Sequence, residues 1–160
     1  MSEKNKKMTA NFTLGELTYS RTAISNNIRN IPNAEQIKNL QRLCETVLQP
    51  IRDEFGYVII ISGFRNAELN SLVGGSPTSD HLHGLAADFV CPDSDMKKIA
   101  IWICDYLDFH QLIDSIDERG FIHISIHGKK HRETLVESKK KYHKIAFEDY
   151  YNTIKLKTIG

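Results

Sequence analysis

Ser79-Asp80-His81-Leu82-His83-Gly84-Leu85-Ala86-Ala87-Asp88 and Phe121-Ile122-His123-Ile124-Ser125 are the two stretches that decide the fold of this chain. The first contains a histidine and an aspartate seven residues apart, with a glycine between them that favours a turn. The second contains a histidine inside an apolar, β-branched run that is typical of a strand. Two imidazoles and one carboxylate are a recurring ligand set for catalytic zinc, with water in the fourth position.

A turn at Gly84 followed by a strand would let His81 and Asp88 face one cavity, where the two alanines before Asp88 keep the wall thin. His123, on another strand, would then supply the third ligand from across the sheet. Zinc makes its bound water acidic enough to provide hydroxide near neutral pH. The spacing therefore predicts a hydrolase that binds one zinc ion.

Three further side chains near this pattern each have two alternative interpretations. His83 is expected to lie in a loop or beside a ligand, and His127 shares a strand face with His123 or is solvated. Cys91 follows Asp88 by three residues and is a conceivable ligand, although a buried thiol at a strand end is the favoured interpretation.

The composition indicates one globular domain. The chain has 160 residues, of which 41% are hydrophobic and 26% are charged, enough for a core. We divide it into a flexible tail, residues 1–10, and a single domain, residues 11–160. The 21 basic and 20 acidic residues leave a net charge of +1, so no nucleic-acid partner is indicated. We also expect a monomer.

The cellular compartment is predicted from cysteines and apolar runs. Cys44, Cys91 and Cys104 are an odd number without Cys-x-x-Cys spacing, which is typical of reduced thiols. Residues 1–12 are polar and have no apolar segment after them, so they do not form a signal peptide. No stretch reaches the roughly 20 apolar residues of a membrane span. We expect cytoplasmic synthesis, no membrane partner, and delivery by another route if the substrate is extracellular.

Capping signals and apolar periodicity predict an α+β fold, since helices come first and strands follow. Pro50 should bend or break one helix, and Gly56 should end it. A loop is expected around residues 26–32. The predicted elements are helices starting at Thr13 and Asn33, a buried strand 57–61, a helix 66–73, a strand 86–90, a helix capped by Ser94, a hairpin of strands 111–116 and 121–126, and a terminal helix 142–154.

A hydrolase of this kind also needs a substrate anchor and a general base. Arg65 follows a predicted strand, where a guanidinium can bind a carboxylate bidentately or stabilise an oxyanion. Asp114, Asp117 and Glu118 precede His123 and are candidate bases, and a solvated hairpin turn is the alternative for each.

Together these residues resemble the zinc D-Ala-D-Ala carboxypeptidases, the M15 peptidases, which share a fold with hedgehog signalling domains. The family pattern Ser-x-His-x-x-Gly-x-Ala-x-Asp is matched between Ser79 and Asp88. The segment from Ser62 to Ser79 is similar to the branch common in bacteriophages and prophage regions, and residues 111–113 and 121–125 match its closing hairpin. The resemblance covers about residues 11–127.

The resemblance implies a small antiparallel-rich sheet flanked by helices, and a zinc site of His81, Asp88 and His123. It implies that Arg65 anchors or polarises the substrate, and that Ser79 also binds the substrate. Hedgehog-like relatives place an acidic base six residues before the last zinc histidine, which here is Asp117. Other members place it three before, where this chain has Gly120.

The implied function is zinc-dependent hydrolysis of peptidoglycan stem or cross-link peptides, in the manner of a D-Ala-D-Ala carboxypeptidase or an endolysin. Two positions depart from the family pattern: Phe121 replaces a histidine of hedgehog-like members, and His110 replaces an aspartate common in the phage branch. The alternative function is therefore a non-catalytic, zinc-bearing module that binds cell wall or builds a phage structure.

Overall fold

Helices and a six-stranded sheet form the part of the chain that the computed structural model describes, residues 3–127 and 131–159. The helices are α1 (Leu14–Thr18), α2 (Arg21–Ser25), α3 (Ala34–Leu43), α4 (Gln49–Phe55), α5 (Ala67–Leu72), α6 (Met96–Tyr106), α7 (Ile116–Arg119) and α8 (Phe147–Ile159). The strands are β1 (Ile59–Ser62), β2 (Ala86–Val90), β3 (Gln111–Ser115), β4 (Phe121–Ser125), β5 (Glu133–Ser138) and β6 (Lys141–Ile145). The predicted α+β fold is confirmed.

The sheet has the strand order β1-β2-β4-β3-β5-β6. Its neighbours are antiparallel except β3 and β5, which are parallel. Asp88 is paired with His123, His123 with Ile113, and Ile113 with Leu135. Because successive side chains alternate between faces, these four residues share one face of the sheet.

The opposite face of the sheet forms the core with the helices. Ile122 and Ile124, which flank His123 in β4, are fully buried there. They pack in one cluster with Leu40 and Leu43 of α3 and Ile99 of α6. The alternation in β4 thus directs two apolar side chains to the core and one imidazole to the other face.

Both predicted capping boxes are present. The side chain of Thr13 accepts a hydrogen bond from the backbone of Glu16, and Asn33 accepts one from Gln36. In each case the second side chain reaches back to the first backbone N–H, so two unpaired donors of the first turn are satisfied. Gly56, at φ +86°, ends α4 as predicted.

Pro50 does not break the helix. A π-helical turn, Cys44–Leu48, joins α3 to α4, and the chain stays helical through Pro50 to Phe55. A wider turn directly before proline relieves the clash that its ring makes in a regular helix. The prediction of a break was wrong for this reason.

The strand predicted as buried, 57–61, is an edge strand. β1 begins at Ile59 and contacts only β2 within the described sheet, so Ile59 and Ile61 are 37% and 51% exposed. A continuous apolar run is typical of a buried strand, but the run alone does not show how many neighbours a strand has.

The C-terminal region contains a hairpin that was not predicted. β5 and β6 pair through a turn in which Lys139 and Lys140 have φ of 51° and 60°. The terminal helix therefore begins at Phe147 rather than residue 142. Helix α2, capped by Ser20, was also missed, and α6 is capped by Asp95 rather than Ser94.

The start of the described chain packs on the domain. Met8 and Phe12 are 3% and 2% exposed, and Lys7 bridges to Thr13. The division into a tail and a domain at residue 10 stays a prediction, but Met8 belongs to the core. No helix among residues 3–127 and 131–159 combines the length and the apolar character that crossing a bilayer requires. Cys44, Cys91 and Cys104 are buried free thiols.

Candidate metal centre and substrate cleft

His81 lies in a short 3₁₀ helix, Asp80–His83, that is held from both ends. Ser79 caps its first residue, and Gly84 ends it in the left-handed conformation at φ +70°. Side chains of α3 donate to it as well, Gln36 to the Leu82 carbonyl and Asn39 to the His83 carbonyl, both at 2.9 Å. The position of the His81 imidazole is therefore fixed by the backbone around it.

Replacing Gly84 with alanine is expected to destabilise the protein. A Cβ there would lie 2.6 Å from the Gln36 carbonyl oxygen, and the left-handed backbone alone costs about 1–3 kcal/mol for other residues. Gly120→Ala is the matched control, because Gly120 is also left-handed, at φ +80°, and has open space around its missing Cβ. Urea unfolding should show a larger decrease in the free energy of unfolding for Gly84→Ala than for the control. Equal decreases would mean that the close approach to α3 does not contribute to stability.

One ring nitrogen of His81 is committed to the backbone. Nδ1 lies 2.6 Å from the Gly63 carbonyl oxygen. Because a carbonyl only accepts hydrogen bonds, Nδ1 carries the hydrogen and Nε2 keeps its lone pair. Nε2 faces Asp88, 3.3 Å from its Oδ1.

The structure brings His81, Asp88 and His123 together, and we call these three residues the metal centre. Their possible ligand atoms all lie within 4.8 Å of one another. Nδ1 of His123 is 2.8 Å from the same Asp88 oxygen, across the β2–β4 register. The side chains are 2%, 14% and 12% exposed in that order, so the centre is nearly buried but open on one side.

The electrostatics of the metal centre favour metal-binding protonation states. Burial opposes ionisation of Asp88, but the two neighbouring imidazoles, including the hydrogen bond from His123, outweigh it and hold the pKa of Asp88 well below its usual range. Burial lowers the pKa of His81, against the attraction of Asp88. A carboxylate beside neutral imidazole is the form that binds a divalent metal.

Arg65 lies beside the metal centre in the same cleft. Its guanidinium donates from Nε to Asn70 at 3.2 Å, and from its two terminal nitrogens to Ser62 at 3.3 Å and Ser79 at 3.4 Å. Burial lowers the pKa of Arg65 and Asp88 opposes the change, but a guanidinium stays charged at any relevant pH. Arg65 and Ser79, which were each predicted to bind the substrate, are thus in contact.

The cleft has a volume of about 490 Å³. The metal centre and Arg65 line one part of it. The other part is lined by residues of β3, α7, β5 and β6, among them Ser115, Arg119, Leu135 and Tyr142.

Sequence reasoning missed the second part of the cleft. Arg119 donates from Nε to Glu137 at 2.7 Å and from a terminal nitrogen to the Tyr142 hydroxyl at 2.9 Å, and its guanidinium lies 4.6 Å from the Phe121 ring centre. The run Thr134-Leu135-Val136, in which two residues are β-branched, indicates a strand, and this signal could have placed β5 in the sheet.

None of the three predicted bases lines the cleft. Asp117 is 67% exposed and its carboxylate lies 3.0 Å from Lys97 Nζ on α6. Asp114 pairs with Ile122 in the sheet and so faces the core side, where its carboxylate accepts from Tyr150. Glu118 accepts from the backbone of Lys139. The helical turn α7 directs Asp117 and Glu118 away from the metal centre, and the register of β3 does the same for Asp114, so the placement predicted for Asp117 near the metal is corrected.

The remaining candidates also lie outside the metal centre. His83 is exposed on the 3₁₀ helix, and His127 is exposed after β4. Cys91 is 1% exposed, and burial raises its pKa to about 11. A thiol that stays protonated is a poor metal ligand, in agreement with the favoured interpretation of Cys91.

A protein-family model described as Peptidase M15 matches residues 10–125, well over half of the chain. The match includes the metal centre and Arg65 and ends with the last residue of β4. The β5–β6 hairpin and α8 lie beyond it. No curated protein matches the chain.

Proposed function

The chain belongs to the M15 peptidases, a metallopeptidase family, and from this membership we propose that it is a zinc-dependent hydrolase of peptidoglycan stem or cross-link peptides. The observation that carries the proposal is the convergence of His81, Asp88 and His123 beside Arg65 in one cleft. Family membership supports peptide-bond hydrolysis, and the donor set supports the metal.

Zinc fits this donor set. Two imidazoles and one carboxylate are its usual protein ligands in catalytic sites, and the open side leaves room for water and substrate. The Nδ1 hydrogen bond of His81 to Gly63 fixes the ring orientation, as is usual for zinc-binding histidines. When bound, zinc would supply a Lewis acid that polarises the scissile carbonyl and lowers the pKa of water.

Arg65 is proposed to bind the substrate. Its guanidinium is held by three side chains in a partly buried position next to the metal centre. A fixed cation there can pair with the terminal carboxylate of a peptide or stabilise the oxyanion that forms during attack. Ser79 serves this role indirectly, because it accepts from Arg65 and caps the helix that carries His81.

The cleft suits a short peptide that carries carboxylates. Arg65 lies near the metal centre, and Arg119 lies on the far side of the same cleft. Stem peptides have a terminal carboxylate and a further carboxylate along their length, which the two cations would bind. We expect the protein to act on such peptides as a monomer, without nucleic acid or membrane.

Asp80 is the proposed proton acceptor. Among the described residues that line the cleft, Asp80 and Asp88 are the carboxylates, and Asp88 belongs to the metal centre. Asp80 immediately precedes His81, so its backbone is anchored with that ligand. A carboxylate in this place would take the proton of water during attack and return it to the leaving amine.

Asp80→Asn is expected to lower turnover by about 10²–10⁴-fold, the usual size of general-base catalysis. The variant should keep its bound metal, because Asp80 is not part of the metal centre. Asp117→Asn is the matched control and should retain turnover, since it removes only exposed ion pairs with Lys97 and Lys157. Steady-state kinetics with metal analysis checks both variants. A larger loss of turnover in Asp117→Asn than in Asp80→Asn would indicate that Asp117 is the general base.

The alternative, a non-catalytic wall-binding module, is favoured by one observation: the three acidic residues predicted as bases face away from the cleft. Purified peptidoglycan separates the two functions. Incubation with zinc-loaded protein should release new amino termini, and incubation with chelated protein should not. Sedimentation of the protein with peptidoglycan, without new amino termini at any zinc level, would instead establish the binding module.

A further inference from the structure

Three histidines form a second cluster outside the metal centre, and we call it the histidine cluster. His110 precedes β3, His127 follows β4, and His131 precedes β5. The ring centre of His110 lies 5.1 Å from that of His127 and 5.1 Å from that of His131. Nothing in the family pattern requires this grouping, because His131 lies beyond the matched residues.

The central ring of the cluster has an unsatisfied nitrogen. Nδ1 of His110 is buried and has no hydrogen-bond partner among residues 3–127 and 131–159. A buried polar atom without a partner costs free energy and is uncommon in native proteins. A metal ion is one partner that would satisfy this nitrogen and, at the same time, use the two neighbouring imidazoles.

One carboxylate, that of Glu133, lies beside the cluster as part of an ion pair. Glu133 follows His131 by two residues, and its carboxylate is held by Gln111 at 2.7 Å and Lys144 at 2.9 Å. These hydrogen bonds, Lys144 first, lower the pKa of Glu133, and His110 adds to the effect. Glu133 is thus an ionised carboxylate near His110, and Lys144 already balances its charge.

The ring nitrogens of the histidine cluster do not converge on one point in this conformation. Among the described residues, only the metal centre has its ligand atoms within 4.8 Å of one another. His127 and His131 are exposed, however, and exposed side chains change rotamer within nanoseconds. A shared ion would require rotation of these two exposed side chains that directs one nitrogen of each toward His110.

We propose that His110, His127 and His131 bind a second divalent transition metal of the zinc class. Three imidazoles with an open fourth position are an established zinc ligand set. The ion would tie together the start of β3, the end of β4 and the start of β5. It would therefore stabilise the contact of the β5–β6 hairpin with β3 and β4. This hairpin contributes Leu135 and Tyr142 to the cleft.

Metal stoichiometry tests this proposal on the full chain. Metal-free protein titrated with zinc in a calorimeter should bind two equivalents. His127→Ala with His131→Ala should bind one, and so should His81→Ala with His123→Ala. The matched control, His83→Ala with His143→Ala, removes two exposed histidines elsewhere and should bind two.

A thermal measurement separates this site from the metal centre. In the His81→Ala, His123→Ala background, zinc should raise the unfolding temperature, because a ligand that binds only the folded state stabilises it. Adding His127→Ala and His131→Ala should abolish the rise. One equivalent in the wild type, or an undiminished rise after loss of the cluster, would overturn the proposal while leaving the proposed hydrolase function intact.

Discussion

Replacing His123 with alanine is expected to empty the metal centre and reduce hydrolysis to the level of chelated protein. The change removes one of three ligands and the 2.8 Å contact with Asp88, so the carboxylate is left with a single imidazole partner. Two protein ligands are too few for the three-ligand arrangement of catalytic zinc sites. Metal analysis should therefore show one equivalent less than in the wild type.

The control for this prediction is His143→Ala, which removes an exposed imidazole of β6. It should keep both the metal content and the activity of the wild type. Circular dichroism should show that His123→Ala remains folded, since the fully buried neighbours Ile122 and Ile124 are unchanged. Full metal occupancy in folded His123→Ala would mean that the centre does not use this residue.

Replacing Arg65 with alanine is expected to lower the catalytic efficiency by about 10²–10³-fold, the cost of removing one donor to a developing oxyanion. The guanidinium lies next to the metal centre and no other described arginine lies at that end of the cleft. An effect on KM alone would indicate an anchor for the substrate carboxylate, whereas an effect on kcat would indicate oxyanion stabilisation.

Arg65→Lys refines this prediction, because lysine keeps the charge but loses the planar set of donors that reaches Ser62, Asn70 and Ser79. We expect only partial recovery. Arg21→Ala, an exposed arginine at the start of α2, is the control and should behave as the wild type. Wild-type efficiency in folded Arg65→Ala would remove this residue from the proposed mechanism.

The metal centre was predictable from sequence because its geometry is largely local. The turn at Gly84 and the alternation of β2 place His81 and Asp88 on one side within eight residues. His123 needed one long-range inference, that its strand joins the same sheet. The capping boxes at Thr13 and Asn33 were predictable for the same reason, since each depends on residues three positions apart.

The position of Asp117 and the far side of the cleft were not predictable in this way. Asp117 is close to His123 in sequence, but the turn α7 directs it toward Lys97 on the helical side. Arg119 and Tyr142 meet through a hairpin that pairs parallel to β3. Parallel pairing depends on a distant chain segment, which no local pattern specifies.

The central claim is that the metal centre hydrolyses peptidoglycan peptides, and mass spectrometry of muropeptides after incubation with the zinc-loaded protein tests it most directly. The account predicts products in which one peptide bond has gained a water molecule, present with zinc and absent with chelator or with His123→Ala. Muropeptides that remain intact with zinc-loaded, folded wild-type protein would contradict the claim.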